Sequence, residues 1–517
     1  AAVALEQAVQ KAQAEGNVKM QITALRNLAL IYQRLGQSEK ANQAIATSLE
    51  MASRLDSRDR LAMQASIWDV QGSVQLDQGQ TRDAITTWEK AEKAYQQLGD
   101  RDRTLQNQVN QAQALQRLGF YRRAIAILTP IVQDLEKQPD SLIKAVSLRS
   151  LGDAQQFVGD VEQAQKNLEA SLEIAKRLQS ANAISNAALS LGNALLAQSK
   201  PEDAKTAYQQ AADSTTTTAA SITRVQAELN QLSVLSTNKR TQEAQALWQN
   251  IKAELENLPP NQQTVFARIN LAQSLMQLKV AENPSPQDIA QILLVAIQQA
   301  KDLKDERAEA YAIGTLGTLY KQSEQWVDAQ KLSEQALIIA QTNRANDIIY
   351  RWQWQLAQLY KLRGERESNP EFYNKSLQLY AETLKTLQSL RSDLAAVNTQ
   401  AQVSFQESVE PIHREFVSLL LDSKRGEVTS QDLEKARDVI ESLQLAELDN
   451  FFREACLRAT PTLVDQIDQQ AAVIYPIILR DRLEVIVSLP KQQLRHYATN
   501  ITQSELESVV SRLRGSL

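Results

Sequence analysis

The sequence predicts an all-α solenoid of about nine stacked helix pairs, followed by a small α+β segment. Three observations carry that expectation. The 517 residues hold only 14 Gly and 12 Pro, about 5% together against roughly 12% in average usage, so turns are few and elements long. Small residues recur about every 40 positions over residues 1–366. Past Gly364 that register fades, and near residue 471 the apolar pattern changes from helix-like to strand-like.

Composition limits the chemistry. Ala, Leu, Gln, Glu, Lys and Arg dominate, and these are good helix formers. One Cys (Cys456) and two His (His413, His496) leave no material for a zinc cage or a disulfide framework. Neither a Gly-rich phosphate loop nor a cluster of metal ligands occurs, so no metal and no cofactor is expected. Lys and Arg number 56 against 61 Asp and Glu, a net charge of -5 with both signs interspersed. Without a basic block, nucleic acid is not an expected partner. No apolar run approaches the ~18–20 residues of a membrane span. A lone Cys does not fix the compartment, although the cytoplasm is favoured, and the oligomeric state stays open. The chain starts at Ala1 inside amphipathic sequence, with no initiator Met or signal-like stretch, and is expected to be a fragment.

The repeat is read on Ala29, Gly72, Ala112, Gly152, Gly192, Leu232, Ala272, Gly317 and Ala357, spaced 43, 40, 40, 40, 40, 40, 45 and 40. A second small series runs through Ala41, Ala84, Ala124, Ala164, Ala204, Ala244, Ala290 and Ala329. Four places after most of these stands a larger residue: Ile45, Trp88, Leu128, Leu168, Tyr208, Trp248 and Leu294. This is the pattern of two packed helices, in which a small residue admits a large one from its partner. Gly36, Gly79, Gly119 and Gly159 mark the turn between them. Charged stretches such as 55–60, 98–103 and 302–307 separate the pairs. A six-residue insertion is expected around Asn283–Pro286, and residues 1–15 read as the second helix of a unit whose first is missing.

LALIY (28–32), LGTLY (316–320) and LAQLY (356–360) give Leu-Gly/Ala followed by Tyr three places on. On these residues the array resembles the tetratricopeptide repeat, which implies a right-handed superhelix over 1–366. The period of 40 rather than 34 is similar to the kinesin light chain type. The unit around Leu232 lacks the small residue and the turn glycine, and a bend is expected there.

In that arrangement the residues one place after the small position, and two before it, face the concave groove. The first set includes Gln113, Asp153, Asn193, Gln273 and Gln358; the second includes Asn27, Asn110, Asn230, Asn270 and Gln355. Both are overwhelmingly neutral and polar. Amides offer donor and acceptor together, which suits the backbone of an extended polypeptide. These ten residues are the candidate peptide-binding site and a protein or extended peptide the expected partner; a merely solvated face is the alternative. The cations Arg26, Arg34, Arg117, Arg149, Lys321 and Lys361 form no tight cluster within one repeat, so a clamp for a terminal carboxylate is not expected.

Residues 367–430 are read as linking helices, with amphipathic stretches at 371–391 and 404–422. A helix over 431–458 follows, capped by Ser430. Residues 471–479, 482–490 and 493–499 read as three strands with tight connections, and 503–514 as a last helix. The hairpin is expected as an exposed edge, docked on the adjacent helices or paired between molecules.

SVEPIHREFVSLLL (408–421), ARDVIESLQLAELDNFFREACL (436–457) and AAVIYPIILRDRLEVIVSLP (471–490) resemble the start of the CHAT domain. This caspase-like peptidase domain accompanies tetratricopeptide repeats in bacteria, especially cyanobacteria. The resemblance implies that 431–517 is the N-terminal portion of such a domain, cut before its catalytic His and Cys. Neither His413 nor His496 nor Cys456 matches the family's catalytic motifs, so the set of catalytic residues is empty. Two functions are expected from this reading. One is the substrate-recruiting, regulatory part of a bacterial caspase-like cysteine peptidase; the other is a non-catalytic scaffold or adaptor.

Overall fold

The computed structural model describes residues 2–118, 120–214, 222–238, 240–278, 284–394, 409–452, 470–490 and 492–516. Gly119, Asn283 and Cys456 lie outside them. Helix α1 (Ala2–Ala14) precedes nine helix pairs. Their first helices are α2 (Val18–Arg34), α4 (Ser57–Asp77), α6 (Arg101–Arg117), α8 (Leu142–Val158), α10 (Ala181–Ala197), α12 (Ile222–Thr237), α14 (Gln262–Gln277), α16 (Glu306–Gln322) and α18 (Asn346–Glu367). Their second helices are α3 (Ser38–Ser53), α5 (Thr81–Leu98), α7 (Tyr121–Glu136), α9 (Val161–Arg177), α11 (Pro201–Asp213), α13 (Thr241–Asn257), α15 (Pro286–Asp302), α17 (Trp326–Thr342) and α19 (Pro370–Leu394). The fold is thus an all-α helix-pair solenoid, and contacts divide the chain into two units between Thr315 and Leu316.

Small-to-large packing closes the second, fourth and fifth pairs. Trp88 of α5 lies against Gly72 of α4, Leu168 against Gly152, and Tyr208 against Gly192. A Cβ at Gly72 would stand 2.5 Å from the Trp88 indole nitrogen, so only glycine admits that ring. The first small series, Leu232 included, is buried throughout. The charged separators serve as helix starts: Asp56 accepts from the Asp59 amide at 3.0 Å and Asp100 from the Arg103 amide at 3.1 Å.

The seventh pair corrects the sequence register. Ala290 is half-buried and Leu294 is 49% exposed, whereas Ile289 and Leu293 face the core at 4% and 0%. Ile289 follows Ala244 by 45 places, as Gly317 follows Ala272, so the insertion is five residues and not six. Aligning on a small residue picked Ala290, one place off the buried stripe.

The turn seven places after the small residue has left-handed backbone at Gly36, Gly79 and Gly159. Ser199 (φ 60) and Glu324 (φ 58) take the same conformation at the same place without glycine. Each keeps the turn's pair of hydrogen bonds, such as Glu324 to the Lys321 carbonyl and Gln325 to the Tyr320 carbonyl.

In the second unit, α20 (Glu410–Leu420) and α21 (Ser430–Phe452) join α18 and α19 in one core with Tyr380, Phe416, Leu443, Tyr475 and Ile486. Strands β1 (Val473–Ile478), β2 (Leu483–Ser488) and β3 (Arg495–Thr499) form an antiparallel sheet in that order, and α22 (Gln503–Ser516) follows. The sheet docks on the helices, as expected, through Tyr475, Ile477 and Ile486. Arg414 donates to the Ile478 carbonyl at 2.5 Å and Arg482 to the Ser418 carbonyl at 3.1 Å. One detail differs. The cap of α21 is Thr429, whose hydroxyl accepts from the Asp432 amide while Asp432 accepts from the Thr429 amide; Ser430 is already helical.

Candidate functional site: the face of the first helices

First helices of successive pairs pack side by side: α2 with α4, α6 with α8, α8 with α10, α10 with α12, and α12 with α14. These helices carry rows of polar residues, and the structure shows what those residues do. Gln113 donates to the Ser150 hydroxyl at 2.8 Å. Asp153 is bonded to Ser190 and, at 2.9 Å, to Arg149. Asn230 donates to the Asn193 oxygen at 3.0 Å, which also accepts from Tyr208 at 2.9 Å. In the second unit Thr318 donates to Gln355 at 2.6 Å. The links Gln113–Ser150, Asp153–Ser190, Asn193–Asn230 and Thr318–Gln355 each join the place after one small residue to the place two before the next.

The two expected sets of residues therefore interlock. Gln113, Asp153, Asn193, Asn230 and Gln355 are brought together as a ladder between repeats. Asn27 and Asn110 are not in it: Asn27 accepts from Arg26 at 3.1 Å and Asn110 from Gln106 at 3.0 Å, each within its own helix. Gln273 reaches Tyr311 at 3.5 Å, and Asn270 stands exposed. Gln358 is turned toward Glu415 of α20. An amide has two N–H donors and an acceptor oxygen, and the Gln113–Ser150 bond uses one of the donors.

Charge on the face is arranged across repeats. Asp69 of α4 lies between Arg26 of α2 and Arg103 of α6, with Arg103 at 3.9 Å. Burial pushes its carboxyl up, and the two guanidinium groups pull it only part of the way back. Asp77, exposed at its edge, feels the charges of Arg117 and Arg34, yet desolvation still leaves its carboxyl raised. Burial likewise raises Asp153 despite its bonds to Arg149 and Ser190. The cations that sequence spacing scattered over separate repeats are gathered here around Asp69 and Asp77. The signal was present in the register, since Arg26, Asp69 and Arg149 stand three before their small residues and Arg34, Asp77 and Arg117 five after.

The two histidines have structural partners. His413 is 3% exposed with Nδ1 at 2.7 Å from the Val409 carbonyl. His496 Nε2 lies 2.6 Å from Glu484, which also accepts from Arg482 at 2.6 Å. Among the described residues no group of three or more His, Cys, Asp or Glu is placed to hold a metal, and no helix is long and apolar enough to cross a membrane.

No curated protein matches the chain in sequence. Among solved structures, human IFIT1, as a dimer with m7Gppp-AAAA, is similar at 13% identity and a TM-score of 0.47, covering 84% of this chain and 89% of that one. A Rap protein complexed with competence and sporulation factor is similar at 11% identity and a TM-score of 0.42, over 63% of this chain and 98% of that one. The apo quorum sensor NprR from B. thuringiensis gives 12% identity and 0.44, over 64% and 91%. The tetratricopeptide repeat family matches residues 103–177 and 144–216, which span α6 to α11 and the bonds Gln113–Ser150 and Asp153–Ser190. Residues 103–216 thus carry tetratricopeptide repeats.

Proposed function

We propose that the face of the first helices binds an extended polypeptide, and that the chain serves as a protein-interaction module. The observation that supports this is the ladder itself. Its amides and hydroxyls recur at fixed places in each repeat and retain hydrogen-bonding capacity beyond the bonds that join the repeats. A backbone lying along such a face finds donors and acceptors at a regular spacing without any demand on its sequence. The Arg pairs around Asp69 and Asp77 add net positive charge at one end and favour a segment with acidic residues there.

The finer reading is that the module recruits substrates or regulators for a bacterial caspase-like cysteine peptidase. Its support is the sequence resemblance over about 404–517. In this reading the catalytic His and Cys lie outside these 517 residues, and a plain scaffold shares everything but that last step.

The test is fluorescence anisotropy with a panel of unstructured 15-residue peptides, acidic, neutral and basic, with free and amidated C-termini, and with oligoadenylate as a further probe. Binding of acidic or neutral peptides, lost at least about ten-fold in the variant Gln113→Ala/Asn193→Ala/Asn230→Ala, is the expected result. Affinity unchanged by the triple substitution, or binding of oligoadenylate alone, contradicts the reading.

A further inference from the structure

Around one carboxylate the last helix pairs gather a set of donors found at no other pair among the described residues. Glu415 of α20 accepts from the Trp354 indole at 2.7 Å, from the Gln358 amide at 2.9 and 3.2 Å, and from the Tyr380 hydroxyl at 2.9 Å. Behind them Lys321 donates to Gln358 at 2.5 Å. Burial lowers the lysine's pKa, and the nearby Glu415 charge offsets part of that. Trp354 and Gln358 stand three before and one after Ala357, and Lys321 four after Gly317. At the same places the fourth pair has Gln116, Arg149 and Asp153, and the fifth Gln156, Leu189 and Asn193. In the second unit α20 therefore lies where the first helices elsewhere present their polar face.

The rest of α20 fits a groove. Ile412, Phe416, Leu419 and Leu420 fall at i, i+4, i+7 and i+8 and are all 1% exposed or less. Phe416 stacks on Tyr380, with ring centroids 5.6 Å apart. The other flank of α20 carries the sheet, through Arg414 to the Ile478 carbonyl and the Ser418 carbonyl to Arg482.

We propose that the face of α18 and α19 is a receptor site for an amphipathic helix that presents one carboxylate within its apolar stripe, filled in cis by α20, and that a partner helix of that chemistry competes for it. The pattern the site reads is Ile-x-x-Glu-Phe-x-x-Leu. Because α20 also holds β1 and β2, a partner helix on the site and the sheet docked through α20 exclude one another. This goes beyond the polypeptide-binding reading and does not depend on it, since none of its residues belongs to the first unit.

The experiment uses the full chain, a synthetic peptide of residues 409–422, and the same peptide with alanine at 415. Hydrogen exchange and peptide binding are read on the wild type and on Glu415→Ala. The parent peptide is expected to bind Glu415→Ala at least about ten-fold more tightly than wild type, and the alanine peptide to bind neither. At saturation on the wild type it is expected to speed exchange in α20, β1 and β2 and to leave α18 protected. If Glu415→Ala does not fold, the wild-type exchange experiment decides alone. Equal binding to both chains, no binding to either, indifference to the peptide's glutamate, or faster exchange spread evenly through α18 and α19 overturns the proposal.

Discussion

Gln113 and Ser150 lie 37 residues apart and are joined by a 2.8 Å hydrogen bond. Thirty-seven is the repeat of 40 less three, and the same bond recurs at three further places in that register: Asp153 with Ser190, Asn193 with Asn230, Thr318 with Gln355. One row of residues thus does two things, joining neighbouring repeats and lining their common face. The first prediction follows from the joining. A double-mutant cycle of Gln113→Ala and Ser150→Ala in urea unfolding is expected to show a coupling of about 1 kcal/mol. A coupling near zero means that the ladder does not hold the repeats together.

The interior is tuned to pairs of side chains. A Cβ at Gly192 would come within 2.5 Å of the Tyr208 ring, so Gly192→Ala is expected to cost about 1–3 kcal/mol. Adding Tyr208→Leu is expected to recover much of that, because Ala112 with Leu128 is the same combination two repeats earlier. Thermal unfolding checks both, and a second substitution that adds further loss contradicts the pairing.

Glu324 holds left-handed backbone where Gly79 serves in the second pair. The left-handed conformation costs an L-residue roughly 1–2 kcal/mol, and glycine loses part of that gain through its freer unfolded chain. Glu324→Gly is expected to stabilise by up to about 1 kcal/mol, and Gly79→Ala to destabilise by about as much. Loss of stability in Glu324→Gly would show that the side chain does more than occupy the turn.

Glu484 and Asp153 predict opposite responses to pH. Burial pushes the Glu484 carboxyl up, but the bonds from His496 and Arg482 outweigh it and hold the group below its ordinary value. A carboxyl lowered on folding adds stability above its unfolded pKa, about 4.3, and loses that contribution as pH falls through the folded value. The deficit of Glu484→Gln relative to wild type is therefore expected at pH 7 and should fade below about pH 4. Asp153 is raised by burial, so its ionised form is disfavoured in the folded chain near neutrality and that penalty disappears as the pH drops through the raised value. Wild type is then expected to gain on Asp153→Asn as acid is added, down to the unfolded pKa near 3.9. Denaturant unfolding at a series of pH values reads both signs.

Much of the fold was legible because the small residues have a physical reason to recur. Gly72 is small because Trp88 fills its place, and that relation survives in the sequence as a 40-residue period. Where the packing residue is not small the sequence misleads, as at Ile289, where a neighbouring alanine imitated the pattern one place away. Spacing could nominate the ten candidate site residues, but not sort them. Whether an amide bonds across a repeat, as Asn230 does, or to its own helix, as Asn110 does, depends on rotamers that spacing leaves open. Glu415 was invisible as a ligand of Trp354 because the two are 61 residues apart and share no period.

The central claim is that partners lie along the first helices. It is tested most directly by placing a photo-crosslinking amino acid, one at a time, at Asn193 and Asn270 on that face and at Gln165 and Glu169 on the exposed side of α9, with the tightest-binding peptide of the panel as the target. Crosslinks at 193 and 270, with none at 165 or 169, are the predicted result. Crosslinks at 165 and 169 in place of the first-helix positions would contradict the account.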